Sequence, residues 1–522
     1  MKRFDILDTP LLRLTPWDEF RLRDAVQGVC ITGGIGSGKT SGSGKTLAGA
    51  YLRAGMGGLV LCAKPEEVEL WRGYCAEHGR SRELIVFDGK RHGFNFLGYE
   101  LARQGTEGLN AVIECLMRVL EMAKAASPTP GRAGDAFWED TTRQILRNAI
   151  PVLFAATATV RIADLLQFVR SAPTSADQMK DPAWQAESFF FACFVKAMPA
   201  LPDEVGERVV GYWRDDFAAL DAKTRGNVVI SLTTALDRFN HGWLRDAFCA
   251  GTSVMPELTF HGAIILLAMP ALTMNEDGVI AQQLWKYMWQ RAVLARNGMP
   301  QPQRERFVFL WADEAQYFLN SQDAEFLSTA RGSRACTVFL SQSLPTFYAK
   351  MAGEGARDRV HHLLGNFATR VWHNNACAET NEWAAKTIGR TLQERRTYSH
   401  GHGSNQGTGM NRGENASRGG NQGGGSSASY GQGGASFGTS SQWGSSWGEG
   451  ENWGDNRSRG TSENQSWGTN EQMDYLFEPN LFSSVLKTGG PPNGNRVSAV
   501  WYQAGRRFVA SSGNLLMPEF VQ

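Results

Sequence analysis

The chain has 522 residues, of which 42% are hydrophobic, and its 53 lysines and arginines nearly balance its 52 aspartates and glutamates. This length predicts two or three compact regions with a sizeable core. The balanced charge excludes a protein that binds nucleic acid through overall basicity, so any such contact must come from local clusters or from a pore that concentrates them. The eight cysteines are scattered without a CxxC pair, which indicates reduced thiols of a cytoplasmic protein.

The first 24 residues alternate charged and apolar side chains and contain no hydrophobic stretch of signal-peptide length. No window approaches the roughly 20 apolar residues that a membrane-spanning helix needs. We therefore expect a soluble protein without a transmembrane segment of its own.

Short apolar runs bounded by turn residues recur along the chain and are typical of buried parallel strands. The predicted strands cover residues 28–32, 58–63, 84–87, 263–268, 307–312, 337–340 and 369–372. Helical patterns follow most of them. This alternation predicts an α/β fold with a doubly wound, mostly parallel sheet and helices on both faces.

Between residues 94 and 246 the strand-like runs nearly vanish and helical spacing replaces them. Apolar residues share one helix face in three places: Val112, Cys115, Leu116, Val119 and Ala123; Trp138, Ile145 and Ala149; Ile162, Leu165, Leu166 and Val169. Because strands resume afterwards, this region is predicted to be an all-α domain inserted into the α/β domain, which comprises residues 1–93 and 247–398.

From residue 399 to 470 the composition changes to glycine, serine, asparagine and glutamine with spaced tryptophans. Such a segment buries too little apolar surface to offset its ordering entropy, so we expect a disordered insertion. It could dock a partner, or its tryptophans could stack on unpaired bases. Residues 471–522 should add a β segment that completes the domain, with a hairpin of 497–502 and 507–510 around Ala504 and Gly505.

A complete phosphate-binding loop follows the first strand and precedes a helical stretch. The pattern G-x-x-x-x-G-K-[ST] is met by Gly33, Gly34, Ile35, Gly36, Ser37, Gly38, Lys39 and Thr40. Glycines let backbone N–H groups converge on phosphate oxygens, and the helix N-terminus adds positive potential. Lys39 should bridge the β- and γ-phosphates, Thr40 should ligate Mg²⁺, and Ser41 is counted with the nucleotide-binding residues.

A second GKT ending lies six residues further on, at Gly44, Lys45 and Thr46. It lacks a strand immediately before it, and Lys39 occupies the place of its first glycine. We interpret Lys45 as a residue of the first helix that faces solvent or pairs locally. Gly42 and Gly44 inside that helix each cost about 1 kcal/mol relative to alanine.

The apolar run 307–312 ends in two acids, Asp313 and Glu314. Ligands bind at the carboxyl ends of strands in open α/β sheets. Asp313 should therefore hold the Mg²⁺ shell, and Glu314 should polarise the attacking water. Together with the phosphate loop, this pair predicts a P-loop ATPase.

Three further polar residues follow this motif. Gln342 comes directly after the strand 337–340 and Ser341, where it can sense a γ-phosphate. Arg331 or Arg334 could act as an arginine finger in the site of a neighbouring subunit. The alternative for either arginine is a surface salt bridge.

These motifs resemble those of the conjugative coupling proteins of the TraD/TraG type, within the FtsK/HerA group of translocating ATPases. The resemblance also rests on residues 94–97, 262–270, 341–343, 365–366, 379–381, 389 and 505–522. It implies a RecA-like motor domain, an all-α domain at one mouth of a homohexameric ring, and DNA passing through the pore. Relaxase and membrane channel components are the partners that it implies.

The chain departs from that family in two places. The family usually carries N-terminal transmembrane helices, whereas only about 28 mostly polar residues precede the first strand here. We therefore expect a cytoplasmic protein that attaches to the inner membrane through a partner. Ala63 stands where the family often places an acid, which puts the support of the site by Lys64 in doubt.

The leading hypothesis is an ATP-driven DNA translocase that delivers DNA, with attached protein, to a conjugative or type IV secretion channel. A second hypothesis is a substrate receptor in which nucleotide binding gates docking and the ring does little pumping. A third is a HerA-like DNA motor that works with a separate nuclease. DNA-stimulated hydrolysis separates the first two, and the genomic neighbours would distinguish the third.

Overall fold

The computed structural model describes residues 6–104, 108–126, 135–351, 355–408, 420–431, 434–445 and 457–522. The strands are β1 (Pro10–Arg13), β2 (Glu19–Arg21), β3 (Val29–Thr32), β4 (Gly57–Leu61), β5 (Leu84–Phe87), β6 (Ile264–Leu267), β7 (Val308–Ala312), β8 (Ala335–Ser341), β9 (Thr369–Trp372), β10 (Arg390–Thr408), β11 (Gly420–Gly431), β12 (Gly434–Ser445), β13 (Arg457–Tyr475), β14 (Arg496–Ser498), β15 (Val500–Gln503), β16 (Leu515–Leu516) and β17 (Glu519–Val521). The α-helices are α1 (Leu22–Ala25), α2 (Lys45–Arg53), α3 (Glu66–Glu77), α4 (Phe96–Gln104), α5 (Gly108–Ala126), α6 (Asp135–Thr157), α7 (Ile162–Arg170), α8 (Pro182–Glu187), α9 (Phe189–Ala197), α10 (Asp203–Gly211), α11 (Ala222–Asp237), α12 (Gly242–Arg245), α13 (Ala271–Ala295), α14 (Asp323–Ala330), α15 (Leu344–Lys350), α16 (Ala356–Gly365), α17 (Ala378–Ile388) and α18 (Leu481–Ser484).

A nine-stranded sheet has the order β16-β15-β9-β3-β8-β7-β4-β6-β5. The seven strands from β9 to β5 are parallel. Beyond β9, β15 pairs antiparallel with β9, and β16 pairs antiparallel with β15. Every residue of β7 and β8 is buried. A strand buried on both faces needs apolar side chains throughout, which is why these strands appear in the sequence as continuous apolar runs.

The seven strands predicted from apolar runs are all present, with ends shifted by at most two residues. The strand at 369–372 matches its prediction at both ends. Because the strands are parallel, the segments that follow β3, β4, β7, β8 and β9 all leave from the same edge of the sheet. That edge carries the candidate site.

The regular elements that the structure describes between Phe96 and Ala250 are helices. The predicted faces point into a core: in α5 the side chains of Val112, Cys115 and Leu116 are fully buried, and in α7 Leu165 and Leu166 are. The Cys115 thiol contacts the Met288 sulfur at 3.6 Å, which joins α5 to α13. The α/β fold with a helical insertion is therefore confirmed.

Within the described ranges, no single helix has both the length and the apolar composition to cross a bilayer. One pair of helices, Phe137–Thr157 and Ile162–Arg170, reaches that length and composition only in combination, across a bend of 116°.

Two compact units emerge from the contacts of the chain. One comprises Met1–Thr380 with Phe482–Gln522, and the other comprises Asn381–Leu481. The second unit contains a four-stranded antiparallel sheet with the order β10-β13-β12-β11.

This second sheet corrects the expectation that residues 399–470 are disordered, as far as those residues are described. Arg390 to Thr408 pair continuously with Tyr475 to Arg457. Our expectation considered only the small apolar surface of the segment. Backbone N–H and C=O groups can pair from strand to strand whatever the side chains are, so a ladder does not need an apolar core.

The C-terminal segment is β-structured as predicted, but the predicted hairpin partner is wrong. Arg507 to Ala510 do not form a strand; Val500–Gln503 pairs instead with Leu515–Leu516. The N–H groups of Val509 and Ala510 donate to the Asp18 carboxylate at 2.8 and 3.0 Å. A buried carboxylate thus satisfies the backbone that a strand partner would have paired.

Candidate nucleotide-binding site

The phosphate-loop residues 33–40 lie between β3 and the helix that follows, at the carboxyl edge of the sheet. Gly36 and Gly38 adopt φ of 73° and 81°, a region that residues with a Cβ rarely enter. The Lys39 side chain is almost completely buried, whereas Ile35 at the tip of the loop is 88% exposed. The loop therefore presents backbone groups and one cation at the edge where ligands bind in parallel sheets.

The acidic pair predicted for this site follows β7 directly. The Thr40 hydroxyl donates to the Asp313 carboxylate at 2.7 Å, and the Glu314 N–H donates to the other Asp313 oxygen at 2.9 Å. A hydroxyl and a carboxylate are hard oxygen donors of the kind that Mg²⁺ prefers. This pair fits a magnesium ion that also contacts substrate phosphates.

Glu314 has an unusual backbone and a side chain held from several sides. Its φ and ψ are both 48°, a left-handed conformation that costs a residue with a Cβ about 1–2 kcal/mol. Lys64 Nζ and Gln342 Nε2 donate to its Oε1 at 2.9 and 3.3 Å, and Gln316 Nε2 donates to Oε2 at 2.9 Å. These contacts fix the direction of the carboxylate.

The surroundings keep Glu314 ionised. Burial alone would raise the pKa of this carboxyl, but the hydrogen bond from Gln316 and the charges of Lys39 and Lys64 lower it below its ordinary value. Lys39 Nζ lies 3.9 Å from the same Oε1 that Lys64 contacts. A buried, oriented and charged carboxylate can accept a hydrogen bond from a water molecule and polarise it.

Helix α3 supplies an acid that the sequence analysis did not identify. Ala63 has no carboxylate of its own, but its N–H donates to Glu67 Oε2 at 2.8 Å. Glu67 is buried, and burial together with the nearby charge of Asp313 raises its pKa to about 8. The doubt about Lys64 is therefore resolved: the segment is held by Glu67, and Lys64 reaches Glu314.

Two more side chains of the site were not predicted. Gln316 accepts a hydrogen bond from the Ser341 hydroxyl at 2.8 Å while it donates to Glu314. His373 is fully buried beneath the phosphate loop, where its Nε2 lies 2.7 Å from the Ser43 hydroxyl. The carboxyl-end rule could have found His373, because it directly follows β9.

Ser41 and Lys45 lie beyond the loop itself. Residues Thr40–Gly44 form a π-helical turn, and α2 begins at Lys45. The exposed Ser41 hydroxyl accepts a hydrogen bond from Gln522 Nε2 at 2.8 Å. Lys45 is half-buried in α2 and makes no ion pair with the residues that the structure describes.

The two arginines proposed as fingers differ in their surroundings. The Arg334 guanidinium donates to the Glu305 carbonyl at 2.7 Å and lies 5.5 Å from the centre of the Phe307 ring. Arg331 is exposed, and within the described ranges its side chain makes no hydrogen bond or ion pair. Arg331 and Arg334 lie before β8 in the chain, and Gln342 lies after it. The length of β8, about 23 Å, therefore separates the two arginines from the nucleotide site of the same chain.

The fold and the site define a P-loop protein with a RecA-like core. A scan against protein-family models finds no match, and a comparison with curated proteins finds none either.

Solved structures do match. One is the bacterial conjugative coupling protein TrwBdeltaN70 in an unbound monoclinic form. The match covers 97% of this chain and 86% of that protein, at a TM-score of 0.50 and 12% sequence identity. Another is the plasmid coupling protein TrwB in complex with ADP and Mg²⁺. That match covers 94% of this chain and 85% of that protein, at a TM-score of 0.51 and 12% identity. The chain therefore has the fold of conjugative coupling proteins, as the motifs predicted.

Proposed function

We propose that this chain is an ATPase that moves DNA, with attached protein, towards a conjugative or type IV secretion channel. The observation that carries the hydrolytic part is the arrangement of Thr40, Asp313 and Glu314 at one sheet edge. The fold shared with coupling proteins supports the transport part.

Each residue of the site has a distinct task in this proposal. The N–H groups of the phosphate loop and the Lys39 ammonium hold the β- and γ-phosphates of ATP. Thr40 and Asp313 would hold Mg²⁺, which neutralises charge on the phosphate oxygens when it is bound. Glu314 orients the attacking water. Gln342, whose Nε2 lies 3.3 Å from Glu314 Oε1, senses whether the γ-phosphate is present.

Assembly into a homohexamer would place DNA in a central pore and bring Arg331 of one subunit to the site of the next. The exposure of Arg331 and its distance from its own Glu314 favour this use in trans. The location we propose is the cytoplasmic face of the inner membrane, where relaxase and channel components would be partners.

The test is ATP hydrolysis by the purified protein, measured without DNA and with single- or double-stranded DNA. A motor should hydrolyse ATP faster when DNA is present. Hydrolysis that DNA does not change, together with nucleotide-dependent binding of a relaxase, would indicate a gated receptor instead. No hydrolysis with either DNA, at protein concentrations high enough to assemble, would refute the proposal.

A further inference from the structure

Residues 373–375 directly follow β9 and contact the phosphate loop. The His373 N–H donates to the Thr32 carbonyl at 2.8 Å, and the Gly34 N–H donates to the Asn374 carbonyl at 2.8 Å. This short segment therefore runs beside the loop at the edge of the sheet where Gln342 also lies.

Asn375 is the member of this segment that reaches Gln342. Its side chain is buried, and its Nδ2 donates to the Gln342 carbonyl at 2.8 Å. Its Oδ1 accepts the Cys377 N–H at 2.9 Å. Both the nitrogen and the oxygen of the amide therefore have hydrogen-bond partners. A buried amide bonded at both ends is held in one orientation.

The backbone of Asn375 fixes a third point. Its N–H donates to the Phe482 carbonyl at 3.3 Å. Phe482 is the residue at which the chain returns after 381–481. Asn375 therefore joins the end of β9, the end of β8 and this return point through separate hydrogen bonds.

Gln342 needs such a support because it lies just outside the sheet. The parallel register of β8 with β3 ends with Ser341 opposite Thr32. The Gln342 carbonyl therefore has no ladder partner in β3, and the Asn375 amide takes that place. With its backbone fixed, the Gln342 side chain extends to Glu314 Oε1 at 3.3 Å.

We propose that Asn375 is a positioning residue for Gln342 in the hydrolysis of the γ-phosphate. This inference rests on the proposed ATPase function and adds a residue to its machinery. Asn375 does not contact the reacting atoms; it holds the backbone that aims the Gln342 amide. Loss of its Nδ2 donor should let Gln342 turn away from Glu314 while the phosphate loop remains intact.

Two variants test this with the full chain. Asn375→Ala removes the whole amide, and Asn375→Asp retains an oxygen for the Cys377 N–H but loses the donor to Gln342. Both should lower kcat by about 10- to 100-fold, because misplacement by about 1 Å has effects of that size. The KM for ATP should change less than about threefold, since nucleotide binding depends on the loop. Asn366→Ala is the matched control, because its Nδ2 also donates to a backbone carbonyl, that of Ala324 at 3.2 Å, away from the site.

A double-mutant cycle with Gln342→Ala separates positioning from general weakening of the fold. If Asn375 acts through Gln342, the double variant should be no slower than Gln342→Ala alone. Multiplicative losses, or an Asn375→Asp protein with the kcat of the wild type, would overturn the inference.

A crystal structure of Asn375→Asp gives a readout that does not depend on hydrolysis. Gln342 should no longer lie within hydrogen-bond distance of Glu314, and a retained contact at 3.3 Å would overturn the inference by itself. A wild-type protein that does not hydrolyse ATP would refute the proposed function, whereas this structural outcome would still decide the role of Asn375.

Discussion

The Thr40 hydroxyl donates a 2.7 Å hydrogen bond to the Asp313 carboxylate, across 273 positions of sequence. Thr46, at the corresponding place in the second GKT ending, donates instead at 2.9 Å to the Gly42 carbonyl in the π-helical turn just before its own helix. Of the two threonines, Thr40 is therefore the one that meets the acid pair. This contact distinguishes two motifs that look almost alike in the sequence.

The first prediction concerns the two lysines of these motifs. Lys39→Ala should abolish ATP turnover, because the phosphates lose their buried cation. Lys45→Ala should change turnover by less than about twofold, because Lys45 lies in α2 and pairs with no described acid. Steady-state hydrolysis of the two variants is the measurement. Loss of activity only in Lys45→Ala would show that the second GKT ending is the functional one.

The second prediction separates binding from chemistry at Glu314. Glu314→Gln preserves the size of the side chain but removes the charge that orients water. We expect kcat to fall by about 100- to 10,000-fold while ATP still binds. Binding can be followed with a fluorescent ATP analogue and turnover with phosphate release. An active Glu314→Gln protein would mean that another group orients the water.

The third prediction concerns the proposed role of Arg331 in the site of a neighbouring subunit. Lys39→Ala subunits retain the arginine, and Arg331→Ala subunits retain the phosphate loop. Mixed rings should therefore contain some complete interfaces and recover part of the ATPase activity that each variant lacks. Arg334→Ala is the comparison, because Arg334 already bonds Glu305 in its own subunit. If co-assembly is demonstrated and no activity returns, Arg331 does not act in trans.

The fourth prediction concerns a glycine that the sequence left unexplained. A Cβ on Gly42 would lie 2.3 Å from a methyl carbon of Val497, which is fully buried. Gly42→Ala should therefore destabilise the protein by about 1–3 kcal/mol, although alanine favours a helix.

Chemical denaturation can test this as a cycle with Val497→Ala, which removes the methyl groups in question. In the Val497→Ala background, Gly42→Ala should be neutral or stabilising. A loss as large as in the wild-type background would place the cause elsewhere than in this contact.

The fifth prediction is a dependence of stability on pH through His373. Burial, and secondarily the Lys39 charge, lower the pKa of His373 to about 3 from its ordinary value of about 6.5. Between these two values the unfolded chain binds a proton that the folded chain does not. Stability must therefore fall as the pH falls through this window, by about 1.4 kcal/mol from this residue at pH 5.5.

Urea denaturation at pH 7.5 and pH 5.5 measures this difference. His373→Gln can still bond Ser43 but does not titrate, so its stability should fall about 1.4 kcal/mol less than that of the wild type over this interval. His241→Gln is the control, since the His241 side chain is 72% exposed. An unchanged difference in His373→Gln would show that His373 is accessible to protons in the folded state.

Much of the fold could be predicted because burial on both faces of a parallel sheet leaves a simple pattern. Phe309 and Leu310 in β7, for example, are both fully buried, so the strand is apolar at every position. The described strands within the Gly-rich segment 399–470 were harder to predict, because pairing of their backbone groups leaves no mark on the side-chain pattern.

The candidate site likewise has parts that the sequence could predict and parts that it could not. By itself, the sequence located the candidate phosphate loop, the acid pair and Gln342, because each lies at the end of an apolar run and has side chains of the kind that phosphate chemistry uses. Only the tertiary structure decided which GKT ending meets Asp313, that Glu67 supports the segment at Ala63, and that His373 and Asn375 stand beside the loop. These contacts join residues far apart in the chain, and the order of strands in the sheet, which local pattern does not encode, brings them together.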